Sequence, residues 1–117
     1  MTGAPDVPEA MRTALMLERR GTAAHPVIVA HGEIDVATSP LLRSELAAAL
    51  ALNPQDVSLD LGDVPFVDSS GLGVMVGALK RLRESGGDQF AIVDPQDSVR
   101  KVLDITGLTS LFAIGSG

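Results

Sequence analysis

Cysteine is absent from this 117-residue sequence, which excludes disulfides, thiol nucleophiles and thiolate metal sites together. Tryptophan and tyrosine are absent too, and the three aromatics are Phe66, Phe90 and Phe112. Base-stacking platforms for single-stranded nucleic acid are therefore scarce. Positive charge is also in short supply: nine Lys and Arg stand against 15 Asp and Glu, a formal net charge of −6. That balance opposes binding to a phosphate backbone, and no nucleic-acid partner is expected. The longest uninterrupted run of apolar residues and glycine, Gly71 to Leu79, spans nine residues, far short of the ~20 that a membrane helix requires. No charged-then-apolar leader opens the chain, so a cytoplasmic protein without membrane association is expected.

What is present suits one packed domain. Hydrophobic residues make up 45% and charged residues 21%, enough for a core and too little charge for global disorder. The placement of the charge is uneven. From Glu33 to Asp68 there are seven acids and one base, Arg43, so that segment carries the whole −6 and the rest is neutral. A basic or charge-neutral protein surface is the partner this pattern favours. Met1 to Ala10 holds two prolines, a glycine and two acids without an apolar period. Residues 1–12 are thus expected as a flexible tail and 13–117 as the domain.

The hydrophobic pattern sets out the elements. Thr13 to Leu17 suggests a short strand, turned by Arg19-Arg20-Gly21, and Val27 to Ala30 a buried strand paired antiparallel with it. Ser39 is expected as an N-cap, with Pro40 at the first helical position. Leu42, Leu46, Ala49 and Leu50 then share one helical face, and Asn53-Pro54 ends the run. Val57, Leu59 and Leu61 alternate with Ser58 and Asp60, as in a half-buried strand. A second helix turns Leu72, Met75, Val76, Leu79 and Leu82 inward, leaving Gly73, Gly77 and Ala78 off the apolar stripe. Phe90 to Val93 is a further strand. Asp94-Pro95 opens a third helix with Val99, Val102 and Leu103 inward, Gly107 suits a left-handed cap, and Leu111 to Ile114 can form a last strand. The order β-β-α-β-α-β-α-β predicts an α/β fold: a mostly parallel sheet of four to five strands, an antiparallel edge hairpin and three or more helices.

One segment departs from a generic α/β pattern. Asp60 to Gly73 runs from a strand through a loop into the second helix, with Asp68-Ser69-Ser70-Gly71 at the junction. A helix start favours negative charge, and Ser69 or Ser70 is expected as its N-cap. A phosphate there would add about −1.5 to −2 of charge beside Asp68. It would be held locally by helix N–H groups, and it would repel or block an external partner. Glycine inside a helix costs roughly 1 kcal/mol against alanine, so Gly73 and Gly77 suggest close approach of a neighbouring element or a partner. Ordinary capping by the serines, and a turn or cap role for Asp35, are the plainer readings of the same residues.

Gly32-Glu33-Ile34-Asp35 after the second strand, with Val67-Asp68-Ser69-Ser70-Gly71-Leu72-Gly73 at the second helix, resembles the bacterial anti-sigma factor antagonists, the single-domain members of the STAS family. The likeness runs from about Thr13 to Phe112 and includes Gly107-Leu108. It implies a non-enzymatic partner-switching regulator of transcription, in stress response or sporulation, without cofactor or metal. Unphosphorylated, such a protein binds an anti-sigma factor that is also a serine/threonine kinase of the GHKL type, and so frees the sigma factor. The kinase then modifies the first serine of the motif, here Ser69, and a phosphatase resets it. Asp35 matches a position needed for the kinase encounter, and Asp68, Ser70, Gly71, Gly73 and Gly77 fall within the expected partner-binding surface. A second role within the family is a scaffold subunit of a stress-sensing or lipid-transport complex. The family pattern closes with a further helix after the last strand, whereas this sequence ends at Gly115-Ser116-Gly117 with that helix either naturally absent or truncated, and one edge is expected to be less stable for it.

Other chemistries fit poorly. Gly71, Gly73, Gly77 and Asp94 mimic a dinucleotide fingerprint, but Asp63 to Ser70 separate the first glycine from its strand. A phosphoacceptor receiver built on Asp68 would need a lysine near the last strand, whereas Lys80 and Lys101 fall in helices. A serine hydrolase would need the G-x-S-x-G elbow, which Val67 to Gly71 lacks, and only His25 and His31 are available as bases. Those two histidines, six residues apart, also lack metal-ligand spacing.

Overall fold

In the computed structural model, residues 15–116 are described. The expected tail, the first residues of the expected opening strand (Thr13 and Ala14), and Gly117 lie outside them. Five strands are present: β1 (Met16–Gly21), β2 (Pro26–His31), β3 (Asp56–Asp63), β4 (Gln89–Val93) and β5 (Ala113–Gly115). Three α-helices lie between them: α1 (Ser39–Leu50), α2 (Ser69–Glu84) and α3 (Asp97–Ile105), with a 3₁₀ turn at Leu108–Ser110. The strands follow one another across the sheet in the order β1-β2-β3-β4-β5. β1 and β2 are antiparallel and every other pair is parallel. Fold class and element order agree with the sequence expectation.

Alternation in β3 explains the core. Val57, Leu59 and Leu61 are fully buried, whereas Ser58 and Asp60 between them are half-buried. In register with Leu59 lie Ile28 on one side and Ile92 on the other, all on the same face. Leu42, Leu46 and Leu50 of α1 and Met75, Leu79 and Leu82 of α2 belong to the same buried cluster. Phe90 and Phe112 meet edge to face at 5.3 Å between ring centroids, a geometry that aligns ring edge with ring face.

The structure departs from the sequence expectation in the hairpin and on α2. Arg19-Arg20-Gly21 does not turn the chain; it completes β1. The reversal falls at Thr22 to His25, where the Thr22 N–H donates to the His25 carbonyl (3.3 Å) and the His25 N–H to that of Thr22 (3.2 Å). β1 is an edge strand, where charged side chains can remain in solvent or pair locally. Arg19 binds Glu45 of α1 at 2.6 Å, and Arg20 approaches Glu18 at 3.3 Å. On α2, Ala78 is buried together with Val74, because α2 packs against α1 as well as against the sheet. Val76 and Val102, expected inward, are only half-buried.

Candidate functional site

The carboxyl ends of parallel strands are where open α/β sheets place their sites. Here β2 and β3 continue to pair beyond their formal ends. The Gly32 N–H donates to the Asp63 carbonyl, the Ile34 N–H to that of Phe66, and the Asp68 N–H to that of Ile34, each at 3.0 Å. Ile34 and Val67 form an isolated parallel bridge, and both are buried. The residues that follow them, Asp35 and Asp68, are thereby brought to one end of the sheet, each just ahead of a helix.

Each aspartate organises its own helix start. The Asp68 carboxylate accepts from the Ser70 N–H at 2.9 Å and the Gly71 N–H at 3.2 Å, making Asp68 the N-cap of α2. The serines are therefore not the cap, as expected from sequence, but the first two helical residues. A carboxylate is the stronger acceptor and sits favourably at the positive end of the helix dipole. Asp35 Oδ1 accepts from the Ala37 and Thr38 N–H groups, both at 3.0 Å, and lies 3.1 Å from the Thr38 hydroxyl. Thr38 occupies the position before α1, so Ser39, expected as N-cap, is instead a buried first residue followed by Pro40.

These caps separate the two serines. Ser69 is exposed, and its hydroxyl makes no hydrogen bond to a described residue; Ser70 is half-buried. Gly71 turns inward: a Cβ there would lie 2.5 Å from Ile34 Cγ2 and 2.8 Å from Val67 Cγ1. Gly71 lets the first turn of α2 seat on the Ile34–Val67 bridge, a packing role within the fold. Gly73 and Gly77 face out, with no heavy atom within 4 Å of a Cβ built on either. No packing contact within the described chain requires glycine at either position.

Four residues at this end were not singled out from sequence as site residues. Val36 and Phe66 expose 74% and 46% of their surface beside Asp35 and Asp68. Sequence does not mark Phe66, which stands among Val64, Pro65 and Val67; only the fold shows that it faces solvent while Val64 and Val67 are buried. Gln96 Nε2 donates to the Gly62 carbonyl at 3.0 Å, and the Ser98 hydroxyl to that of Pro65 at 2.9 Å. The start of α3 thus braces the loop that delivers Ser69, and only tertiary structure discloses it.

Neither histidine hydrogen-bonds Ser69. His25 lies at the opposite end of the strands, 2.9 Å from Asp56. His31 is at the same end as Ser69, but Asp63 holds its Nδ1 at 2.7 Å and Glu18 its Nε2 at 2.8 Å. Those carboxylates, Glu18 first, raise the His31 pKa, and hydrogen bonding from His31 and Arg20 lowers that of Glu18. Among the described residues, no group of three or more His, Asp and Glu is arranged to hold a metal ion, and no helix is long and apolar enough to cross a membrane.

Comparison with known proteins agrees with this architecture. The sequence profile of the STAS domain matches residues 15–116. An anti-sigma-B factor antagonist from Bacillus subtilis (strain 168) is 38% identical over 85 residues, 73% of this chain and 76% of that protein. The crystal structure of an anti-sigma factor antagonist from Mycobacterium paratuberculosis superposes with a TM-score of 0.80 at 26% identity, covering 90% of this chain and 88% of that one. The Bacillus cell fate determinant SpoIIAA in its phosphorylated form gives a TM-score of 0.68 at 25% identity, over 89% and 92% of the two chains. The chain belongs to the STAS domain family.

Proposed function

We propose that this protein is a cytoplasmic, non-enzymatic anti-sigma factor antagonist that works by partner switching, with Ser69 as its phosphorylation site. One observation carries the reading: Ser69 is an exposed, unengaged hydroxyl in the first turn of α2, beside Asp68 and at the same sheet end as Asp35. The free form binds an anti-sigma factor that is also a GHKL-type serine/threonine kinase and so releases the sigma factor. The kinase transfers the γ-phosphoryl of ATP to Ser69 Oγ with ADP leaving, and a phosphatase reverses the modification. Names carried by the relatives support the antagonist role, and the phosphorylated SpoIIAA relative supports a fold that tolerates phosphate.

The geometry favours a switch that acts at the interface. The Ser70 and Gly71 N–H groups are committed to Asp68, so a phosphate on Ser69 projects outward. It presents about −1.5 to −2 of charge and its bulk to the partner. Incubation with the cognate kinase and ATP, followed by mass spectrometry, should place phosphate on Ser69; phosphate on Ser70 alone, or on neither, overturns the assignment. Ser69→Asp should fold normally and bind the kinase poorly, with partial recovery at high salt if charge dominates, whereas Ser69→Ala should stay bound. Asp35→Asn should lose kinase binding while melting within about 4 °C of wild type, because an amide oxygen can still accept from Ala37 and Thr38.

A further inference from the structure

Between α1 and α2 runs a solvent-facing trough of about 220 Å³. Its floor is apolar, built from Leu46, Leu50, Val74 and Ala78, all buried. The charged residues lining it are Arg43 and Arg81, both exposed. Neither guanidinium forms an ion pair with a described residue, as is also true of Lys80, Arg83, Arg100 and Lys101. No acidic residue lines the trough, so it joins an apolar floor to two cations on a chain of net charge −6.

The spacing restricts what fits. Arg43 lies about one turn into α1, and Arg81 lies eight residues beyond Gly73 on α2. Both helices start from the same sheet end, with Arg43 the fifth residue of α1 and Arg81 the thirteenth of α2, so the two are offset by about eight residues, roughly 12 Å of helix rise. Two carboxylates two turns apart on a helix cover a similar span. Ser69, Gly73, Gly77 and Arg81 recur at intervals of four and so form one ridge of α2. With glycine at its two middle positions, that ridge is low enough for a second helix to lie along the trough.

We propose that the trough between α1 and α2 seats a helix of the anti-sigma factor, apolar on its buried side and carrying two carboxylates about two turns apart that meet Arg43 and Arg81. Naming the anti-sigma factor as owner of that helix rests on the antagonist reading; the chemistry of the helix rests on the trough. Ser69 heads the same ridge, so a phosphate there faces the incoming acidic helix and repels it.

The test uses the full chain labelled with ¹⁵N and a helical peptide of about 20 residues, with a leucine stripe and two glutamates seven positions apart. A peptide with lysines in their place is the control. The acidic peptide should shift the amides of Ala47, Gly73 and Gly77, and Arg43→Glu/Arg81→Glu should weaken it by about tenfold or more. The lysine peptide should leave those amides unmoved. Equal binding of both peptides, or shifts confined to other parts of the chain, would overturn the proposal. The double variant and Gly77→Leu, each checked for folding by circular dichroism, are then titrated with the anti-sigma factor. If wild type binds and both variants bind equally well, the trough assignment falls and the antagonist reading stands. If wild type does not bind, the antagonist reading falls, and the peptide titration alone decides the trough.

Discussion

Two faces of α2 treat glycine in opposite ways. At its inner start, Gly71 occupies a space closed by Ile34 and Val67, and the surrounding backbone groups and carboxylates satisfy one another. On the outer face, Gly73 and Gly77 border open space, beside arginines that lack ion-pair partners among the described residues. The first region is complete within the chain, and its glycine serves the fold. In the second, the glycines lower helix propensity and no contact among the described residues requires them. Residues that cost stability without a structural return are what the proposed partner surface would explain.

The strongest way to break this contrast is Gly71→Val. Forcing a branched side chain against the Ile34–Val67 bridge should cost about 2 kcal/mol or more, lowering Tm by about 10 °C for a domain of this size. A thermal melt within a few degrees of wild type would show that the bridge yields. Next in size is Asp68→Ala, which leaves the Ser70 and Gly71 N–H groups without their acceptor and should cost about 1 kcal/mol. Asp68→Asn should recover part of that loss in the same melts, since its amide oxygen can accept from both.

A smaller effect of opposite sign is expected on the outer face. Gly77→Ala should stabilise the domain by about 0.5–1 kcal/mol, because the new methyl group meets nothing. Denaturant unfolding would detect it as a higher midpoint with unchanged slope. A destabilised Gly77→Ala would mean that the face is not open.

The smallest effect concerns His31, an exposed group whose pKa is raised by Glu18 and Asp63. A raised pKa means the folded chain holds the imidazole proton more tightly than the unfolded one. Its contribution to stability is therefore complete below the ordinary imidazole value of 6.5 and fades as pH rises through the higher folded value. Glu18, whose pKa is lowered, contributes above its ordinary 4.5 and loses that contribution as pH falls through its folded value. A His31→Gln variant should flatten the pH dependence above 6.5. An unchanged profile would show that the clasp has no energetic weight, as is common for exposed ion pairs.

Much of the fold was legible because periodicity reports burial directly. The alternation of Val57, Leu59 and Leu61, and the helical spacing of Leu42, Leu46, Ala49 and Leu50, each describe a face that must be covered. Gly107 was also legible: its φ of +77 is the left-handed cap that glycine allows. The hairpin turn was misplaced because charged residues on an edge strand look like a turn when only one strand face is buried. Ala78 was misassigned because one stripe of apolar residues cannot reveal that a helix packs against two surfaces.

The same division applies to the site. Sequence by itself determined the motif, the order of elements and the concentration of acid between Glu33 and Asp68, since these depend on residue type and spacing alone. Tertiary structure decided which group caps α2, which serine is exposed, and which glycine packs and which is free. It also decided that Gln96 and Ser98 brace the loop and that Arg43 and Arg81 share one trough. All of these depend on which atoms meet across elements distant in the chain. An aspartate and a serine can both cap a helix, and only the backbone path set by the Ile34–Val67 bridge selects Asp68 for that place and leaves Ser69 facing solvent.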